Sequence, residues 1–307
     1  MEIVDSQVHL NMVGLEEGLA AMDAVGVDAV IIDEYVSPNP RQEPQIGHFV
    51  ADTVFRYETP LSEIAVRRFP ERFAYVARVS PDDPELEDLI GRVRDQRGRL
   101  ALRLIPHLPV RPGSPAAVAP SGSASAVLLE RIRRGDFERY FRSAADAGVP
   151  VFLQLSGNDL PGDIALFASI ARRHPALALI VDHMGVALPA RPGSDGEPGR
   201  AGLRLLDELA SLENVSFKWC HMIRLSREPY PYPDIAAELR RLVELFGAHR
   251  IMWASDWTID LGWNSWSEAL LSVREDADLT PEDRALILGG TARAVLGWPA
   301  PSASSRP

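Results

Sequence analysis

Arg250-Ile-Met-Trp-Ala-Ser-Asp256-Trp257 runs from an apolar stretch of strand length into a carboxylate, and Thr258-Ile-Asp260 follows. The acid therefore sits where a buried strand gives way to a loop. In a parallel α/β barrel the active-site groups project from the carboxyl ends of the strands, so Asp256 is a candidate general base or metal ligand. The other reading is a turn residue capping the next segment. What the remaining strand ends carry decides between the two.

Upstream, Ile235, Leu239, Leu242, Val243 and Phe246 define an amphipathic helix, and Val215-Ser-Phe-Lys218-Trp-Cys-His221 reads as a strand. If Lys218 points inward, Ser216 and Cys220 share its phase, while Trp219 and His221 point outward until the strand ends. Lys218 is the only lysine among 32 basic residues. Buried lysine is rare unless paired or catalytic, and snorkelling to solvent is the alternative. Ala178-Leu-Ile-Val-Asp182-His183-Met-Gly185 is a further strand, with His183 at its end as a site residue or a satisfied core group. Val149 to Ser156 carries Gln154 near its end, and Leu100 to Ile105 carries Arg103, which pairs internally or faces an anion.

Phe73 to Ser80 and Ala29 to Tyr35 add two strands, and Glu2 to Leu10 is the first. Its alternation places Ile3, Asp5, Gln7 and His9 on one face and Val4, Ser6, Val8 and Leu10 on the other. Gln7 and His9 then lie at the mouth, where buried polar groups need partners or ligands. Helical patterns separate the strands, among them Val127 to Ala147, and Thr280-Pro-Glu-Asp283 has the cap, early proline and acids of a helix start. His174 ends a helix, which suits a surface or dipole role. Eight strands alternating with helices predict an α/β fold, a right-handed (β/α)8 barrel, as one domain over 1–298 with loop insertions at the C-terminal face. Val36 to Pro60 is expected to loop over the mouth, Arg111 to Ala126 to be a mobile lid or disorder, Arg191 to Gly199 a flexible loop, and 299–307 a disordered tail.

Composition narrows the partners. At 307 residues and 46% hydrophobic, the chain is the size of one barrel and holds no apolar run of membrane-spanning length. A net charge of −11 disfavours nucleic acid and anionic membrane. Cys220 is the only cysteine, which excludes an intrachain disulfide and predicts an inert buried thiol rather than a thiolate metal cluster. The first residues already read as a strand, so a cytoplasmic protein is expected.

Val4-Asp-Ser-Gln-Val-His9, Val181-Asp-His-Met-Gly185, Asn214-Val-Ser-Phe-Lys218, Met252-Trp-Ala-Ser-Asp-Trp257 and Ile287-Leu-Gly-Gly-Thr-Ala292 together resemble the amidohydrolase superfamily, in its amidohydrolase-2 branch. The resemblance implies a hydrolase or decarboxylase barrel in which a strand-one His-x-His pair, a strand-five His and a strand-eight Asp often hold a divalent metal. This chain departs from that pattern at Gln7 and Gln154, and an amide oxygen is a poor transition-metal donor. It is closer to the pyrone-dicarboxylate lactonase and sugar-lactonase subgroup, so no cofactor or metal is expected. If a metal is present, His9, His183 and Asp256 are the expected ligands.

The expected reaction is hydrolysis of a small carboxylated carbonyl compound, most simply a lactone, without a macromolecular partner other than, at most, a second copy of the chain. Asp256 is the expected base, His9, His183 and Lys218 stabilise the oxyanion, and Arg103 holds a substrate carboxylate. Gln7, Gln154, His221, Trp257 and Tyr230 are expected to line the substrate. Two rivals stand: a metal-dependent non-oxidative decarboxylase or other lyase, and a repurposed barrel that performs non-hydrolytic tailoring or only binds a ligand.

Overall fold

The structure is a computed structural model describing residues 1–35, 46–105, 111, 124–155, 160–189, 196–260 and 263–301. Most of the Arg111 to Ala126 tract, parts of the Val36 to Pro60 and Arg191 to Gly199 loops, and the end of the tail lie outside the described residues.

Ten strands form in chain order: β1 (Val4–Val8), β2 (Ala29–Ile32), β3 (Gly47–Ala51), β4 (Val54–Tyr57), β5 (Phe73–Ala77), β6 (Arg99–Leu104), β7 (Val151–Leu153), β8 (Leu179–Val181), β9 (Val215–Cys220) and β10 (Ile251–Ala254). Eight make one sheet in the order β1-β2-β5-β6-β7-β8-β9-β10, and each neighbouring pair is parallel. This is the expected barrel. Short apolar side chains, including Val4, Ala29, Ile31, Ala74, Ala101 and Met252, fill its interior, and a larger cluster packs between strands and helices. Interior filling of this kind makes the barrel a core rather than a pore.

The sheet ladder does not run between β10 and β1, and side chains close that seam instead. Ser6 Oγ donates to the Trp253 carbonyl at 2.7 Å, and the Asp256 amide donates to the Gln7 carbonyl at 3.1 Å. Asp5, wholly buried, accepts from the amides of Ser255 at 3.0 Å and Gln7 at 3.1 Å, from the Ser255 hydroxyl, and from Trp266 Nε1 at 2.8 Å. Asp5 therefore does not share a face with Gln7 and His9, as strict alternation predicts. The register shifts between Asp5 and Val8, and such an irregularity reverses the phase of the residues beyond it.

Burial pushes the Asp5 carboxyl up to about 6, against the hydrogen bonds from Ser255, Gln7 and Trp266 that pull it down. A carboxyl raised above its unfolded value carries a penalty when ionised, present above about pH 6 and relieved as pH falls towards its ordinary value near 3.8. Asp5→Asn turns an amide donor towards the donors it meets and is expected to cost about 1–3 kcal/mol, read from denaturant unfolding. The advantage of wild type over Asp5→Asn should widen as pH falls from about 7 to about 5; an advantage that narrows would show that the fold favours the ionised Asp5 and does not raise its carboxyl.

Two other expectations are corrected. The described part of the loop before Pro60 is an antiparallel hairpin, β3 with β4, tied to the segment after β5 by Arg56 on Asp83 at 2.9 Å. The single helix expected over Val127 to Ala147 is two, Ala124–Arg133 and Glu138–Ala147, because the chain turns at Gly135 with φ of 83°. The helix start at Thr280 is as expected, with its hydroxyl accepting from the Asp283 amide at 3.1 Å. Downstream, Gly289 lets the closing helical segment meet β1: a Cβ there would lie 2.9 Å from the Glu2 carbonyl oxygen. No described helix is long and apolar enough to cross a membrane.

Candidate active site

Extending each strand's inward phase to its carboxyl end brings one polar residue from every barrel strand to the mouth. They are Gln7, Asp33, Arg78, Arg103, Gln154, Asp182, Lys218 and Asp256, in sheet order β1, β2, β5, β6, β7, β8, β9 and β10. Arg103 donates through Nε to Asp182 at 2.6 Å, through Nη2 to Gln154 Oε1 at 2.9 Å, and through Nη1 to Asp33. Arg78 meets the other Asp33 oxygen at 2.6 Å. Lys218, only 2% exposed and over the Phe152 ring at 4.8 Å, contacts Asp182 and donates to Gln7 Oε1. Gln7 then donates through Nε2 to Asp256 Oδ2 at 2.6 Å.

Isolated buried charges are costly, so the network survives by mutual compensation. Burial alone would raise Asp33 and Asp182, but Arg103 with Arg78 for the first, and Arg103 with Lys218 for the second, hold both below the ordinary carboxylate range. Arg103 engages Nε, Nη1 and Nη2 within the protein, so a substrate carboxylate would reach it only by displacing one of those partners. Lys218 likewise acts on Asp256 through Gln7, whose amide it orients. Lys218→Met keeps much of the volume but loses that orientation, and turnover is expected to fall by about 10-fold or more; unchanged kcat in a folded variant would show that Gln7 needs no such support.

Three imidazoles surround Asp256. His9 donates through Nδ1 to the Asp33 carbonyl at 2.5 Å and places Nε2 3.1 Å from Asp256 Oδ1. His221 Nε2 lies 3.0 Å from Oδ2, and His183 Nε2 lies 3.9 Å from it. The His183 and His221 rings stack at 5.0 Å. Burial would raise Asp256, yet His9, His183 and His221 hold it well below the usual range. Burial pushes His183 down to about 4. It opposes protonation of His221 as well, but Cys220, Asp256 and Asp260 more than offset it and hold that imidazole well above its ordinary value.

The candidates Gln7, His9, His183, Lys218, His221 and Asp256 thus converge, and Arg103 with Gln154 joins them through Asp182. Strand phase alone would point His221 outward until the strand ends; its left-handed backbone, φ 63°, turns it in. His183 and Asp256 use the same conformation, at φ 50° and 48°, and non-glycine residues held there concentrate at functional sites. Trp257 stacks on Trp266 at 5.0 Å, and Tyr230, 44% exposed, meets Tyr232 edge-on. His174 is buried rather than on the surface, 2.9 Å from Glu138. Sequence reasoning missed Asp33, Arg78 and Asp182, although the alternations Ala29-Ile31-Asp33, Ala74-Val76-Arg78 and Ile180-Asp182 carry them.

A family model described as amidohydrolase matches residues 4–298. The chain belongs to the amidohydrolase family. This amidohydrolase is 31% identical over 144 residues to the L-fucono-1,5-lactonase of Burkholderia ambifaria, a match covering 43% of this chain and 46% of that enzyme, less than half its length. A Burkholderia multivorans amidohydrolase crystallised with bound zinc is similar at 19% identity and TM-score 0.67, over 97% of this chain and 100% of that one. A Pseudomonas putida protein named for 2-pyrone-4,6-dicarboxylic acid hydrolysis is similar at 20% identity and TM-score 0.63, over 96% and 97%. The two structural likenesses establish the fold. In this amidohydrolase the first of the two strand-one positions and the strand-five position that the family often uses for metal are amides, Gln7 and Gln154, whose oxygens face Lys218 and Arg103. Those positions do not fit a metal donor set, and no step below runs through one.

Proposed function

We propose that this amidohydrolase hydrolyses a lactone of a small polyhydroxylated acid. The observation that carries the reading is Asp256: an ionised, buried carboxylate at the barrel mouth, with Gln7 donating to Oδ2 at 2.6 Å and His9 Nε2 3.1 Å from Oδ1. Water admitted beside it attacks the lactone carbonyl carbon while Asp256 accepts the water proton. His9 and His183 border the carbonyl oxygen as it gains charge. The ring C–O bond then breaks, the departing oxygen takes the proton, and a hydroxy acid leaves.

Charge at the mouth favours a neutral sugar lactone over a dianionic ring. Asp33 and Asp182 already pair with Arg78, Arg103 and Lys218, so the site offers many donors and acceptors but, among the described residues, no unpartnered arginine or lysine for a dianion. The match to a fuconolactone-hydrolysing enzyme supports the same substrate class.

A panel of five- and six-membered sugar-acid lactones, with pyrone dicarboxylate alongside, tests this by proton release in weakly buffered indicator. Hydrolysis of at least one sugar lactone, with the dicarboxylate slower, is expected. No lactone turnover together with carbon dioxide release from a hydroxybenzoate would establish the decarboxylase alternative. Because Asp256 is held well below 3.8, its ionised form persists to acid pH, and kcat/KM should lose nothing on its account between about pH 8 and about pH 5.

A further inference from the structure

Asp256 and Asp260 stand on one turn, in which the Ile259 and Asp260 amides donate to the Asp256 carbonyl at 2.9 and 3.2 Å. The His221 ring lies between their side chains, with Nε2 3.0 Å from Asp256 Oδ2 and Nδ1 2.9 Å from Asp260 Oδ1. Resting on the lactone reading above, we infer that His221 is the acid that protonates the departing ring oxygen and that Asp260 is the residue that positions it.

Among the three imidazoles described around Asp256, only this one has a carboxylate within 3.0 Å of each ring nitrogen. His9 commits Nδ1 to the Asp33 carbonyl, and His183 Nε2 stands 3.9 Å from Asp256. A carboxylate at each nitrogen favours the imidazolium, in which both nitrogens are donors. Burial opposes that charge, but Cys220, Asp256 and Asp260 outweigh it and hold His221 well above its ordinary value. A base held low beside an acid held high is the division of roles that hydrolysis needs. The clamp is itself supported: Asp260, 1% exposed, pairs with Arg224, whose guanidinium lies 4.7 Å over the Trp263 ring.

The carbonyl and ring oxygens of a lactone share one carbon, and the stacked His183 and His221 rings present one imidazole to each. Asp256 takes a proton from the attacking water, His221 Nε2 gives one to the ring oxygen as its C–O bond breaks, and the hydroxy acid leaves. The proton on Asp256 then crosses the 3.0 Å to His221 Nε2 and restores carboxylate and imidazolium. That transfer runs from a strongly acidic carboxyl to a basic imidazole, so it is downhill.

The test pairs a sugar lactone with its ring-sulfur thiolactone, the latter read by free thiol. A thiolate, with a conjugate pKa of about 8.5, departs unprotonated, whereas an alkoxide needs the acid. His221→Gln should lower kcat on the lactone by about 100-fold with KM little changed, and on the thiolactone by less than about 10-fold. Asp260→Asn keeps the shape of the turn and leaves His221 in place, so it carries the comparison if His221→Gln does not fold. It should slow the lactone about 10-fold and the thiolactone less. Unchanged kcat on the lactone, a loss confined to KM, or equal losses on the two substrates in a folded variant would each overturn the assignment while wild-type lactone hydrolysis stood. No turnover of any lactone by wild type would overturn the lactone reading itself, and the proton donor with it.

Discussion

Asp256→Asn is expected to slow the chemical step by about 100-fold or more while substrate still binds, because asparagine keeps the shape but accepts no proton at neutral pH. The structure adds a cause of its own. The carboxylate receives Gln7 Nε2 at 2.6 Å and faces His221 at 3.0 Å and His9 at 3.1 Å. An amide nitrogen on either side would meet a donor or disturb a ring, so the variant loses both the base and the order around it. Single-turnover kinetics separate these from binding: kcat should fall with KM little changed. Wild-type turnover by a folded Asp256→Asn would remove the base assignment, and a change confined to KM would recast Asp256 as a binding group.

Arg103→Leu is expected to cost about 3–5 kcal/mol of stability, the scale for breaking a buried ion pair by removing one partner. Arg103 is 5% exposed and bridges Asp33, Asp182 and Gln154, so its loss strips a counter-charge from two buried carboxylates at once. Arg78 and Lys218 remain and limit the damage. Arg103→Lys keeps the charge without the planar fork and should recover only part of the loss. Denaturant unfolding of the three proteins at neutral pH measures this. Unchanged stability in Arg103→Leu, with substrate affinity lost, would return the guanidinium to the substrate-carboxylate role expected from sequence.

How much was legible differs residue by residue. Gln7, His9, Lys218 and Asp256 were readable because strand periodicity carries them to the end of an apolar run, where a barrel exposes its inward groups to the mouth. The same rule, carried one residue pair further, reaches Asp33, Arg78 and Asp182. They lie inside the stretches read as strands, but their inward phase was not followed to the strand ends. Asp5 and His221 are different: a register shift reverses one and a left-handed residue turns the other. No periodic pattern encodes either event, since both depend on what packs against the strand.

By itself, then, the order of residues determined the barrel, its eight strands and most of the groups at its mouth, because hydrophobic alternation and strand-end position are local properties of the chain. Only the tertiary structure decided which of those groups act on one another. Arg103 faces Asp182 rather than open solvent, Lys218 reaches Asp256 through Gln7, and the lone thiol of Cys220 lies beside two imidazoles. Each of these contacts joins strands far apart in sequence. Their pairing is set by barrel closure and by the need of every buried charge for a partner, and neither constraint is written in any one segment.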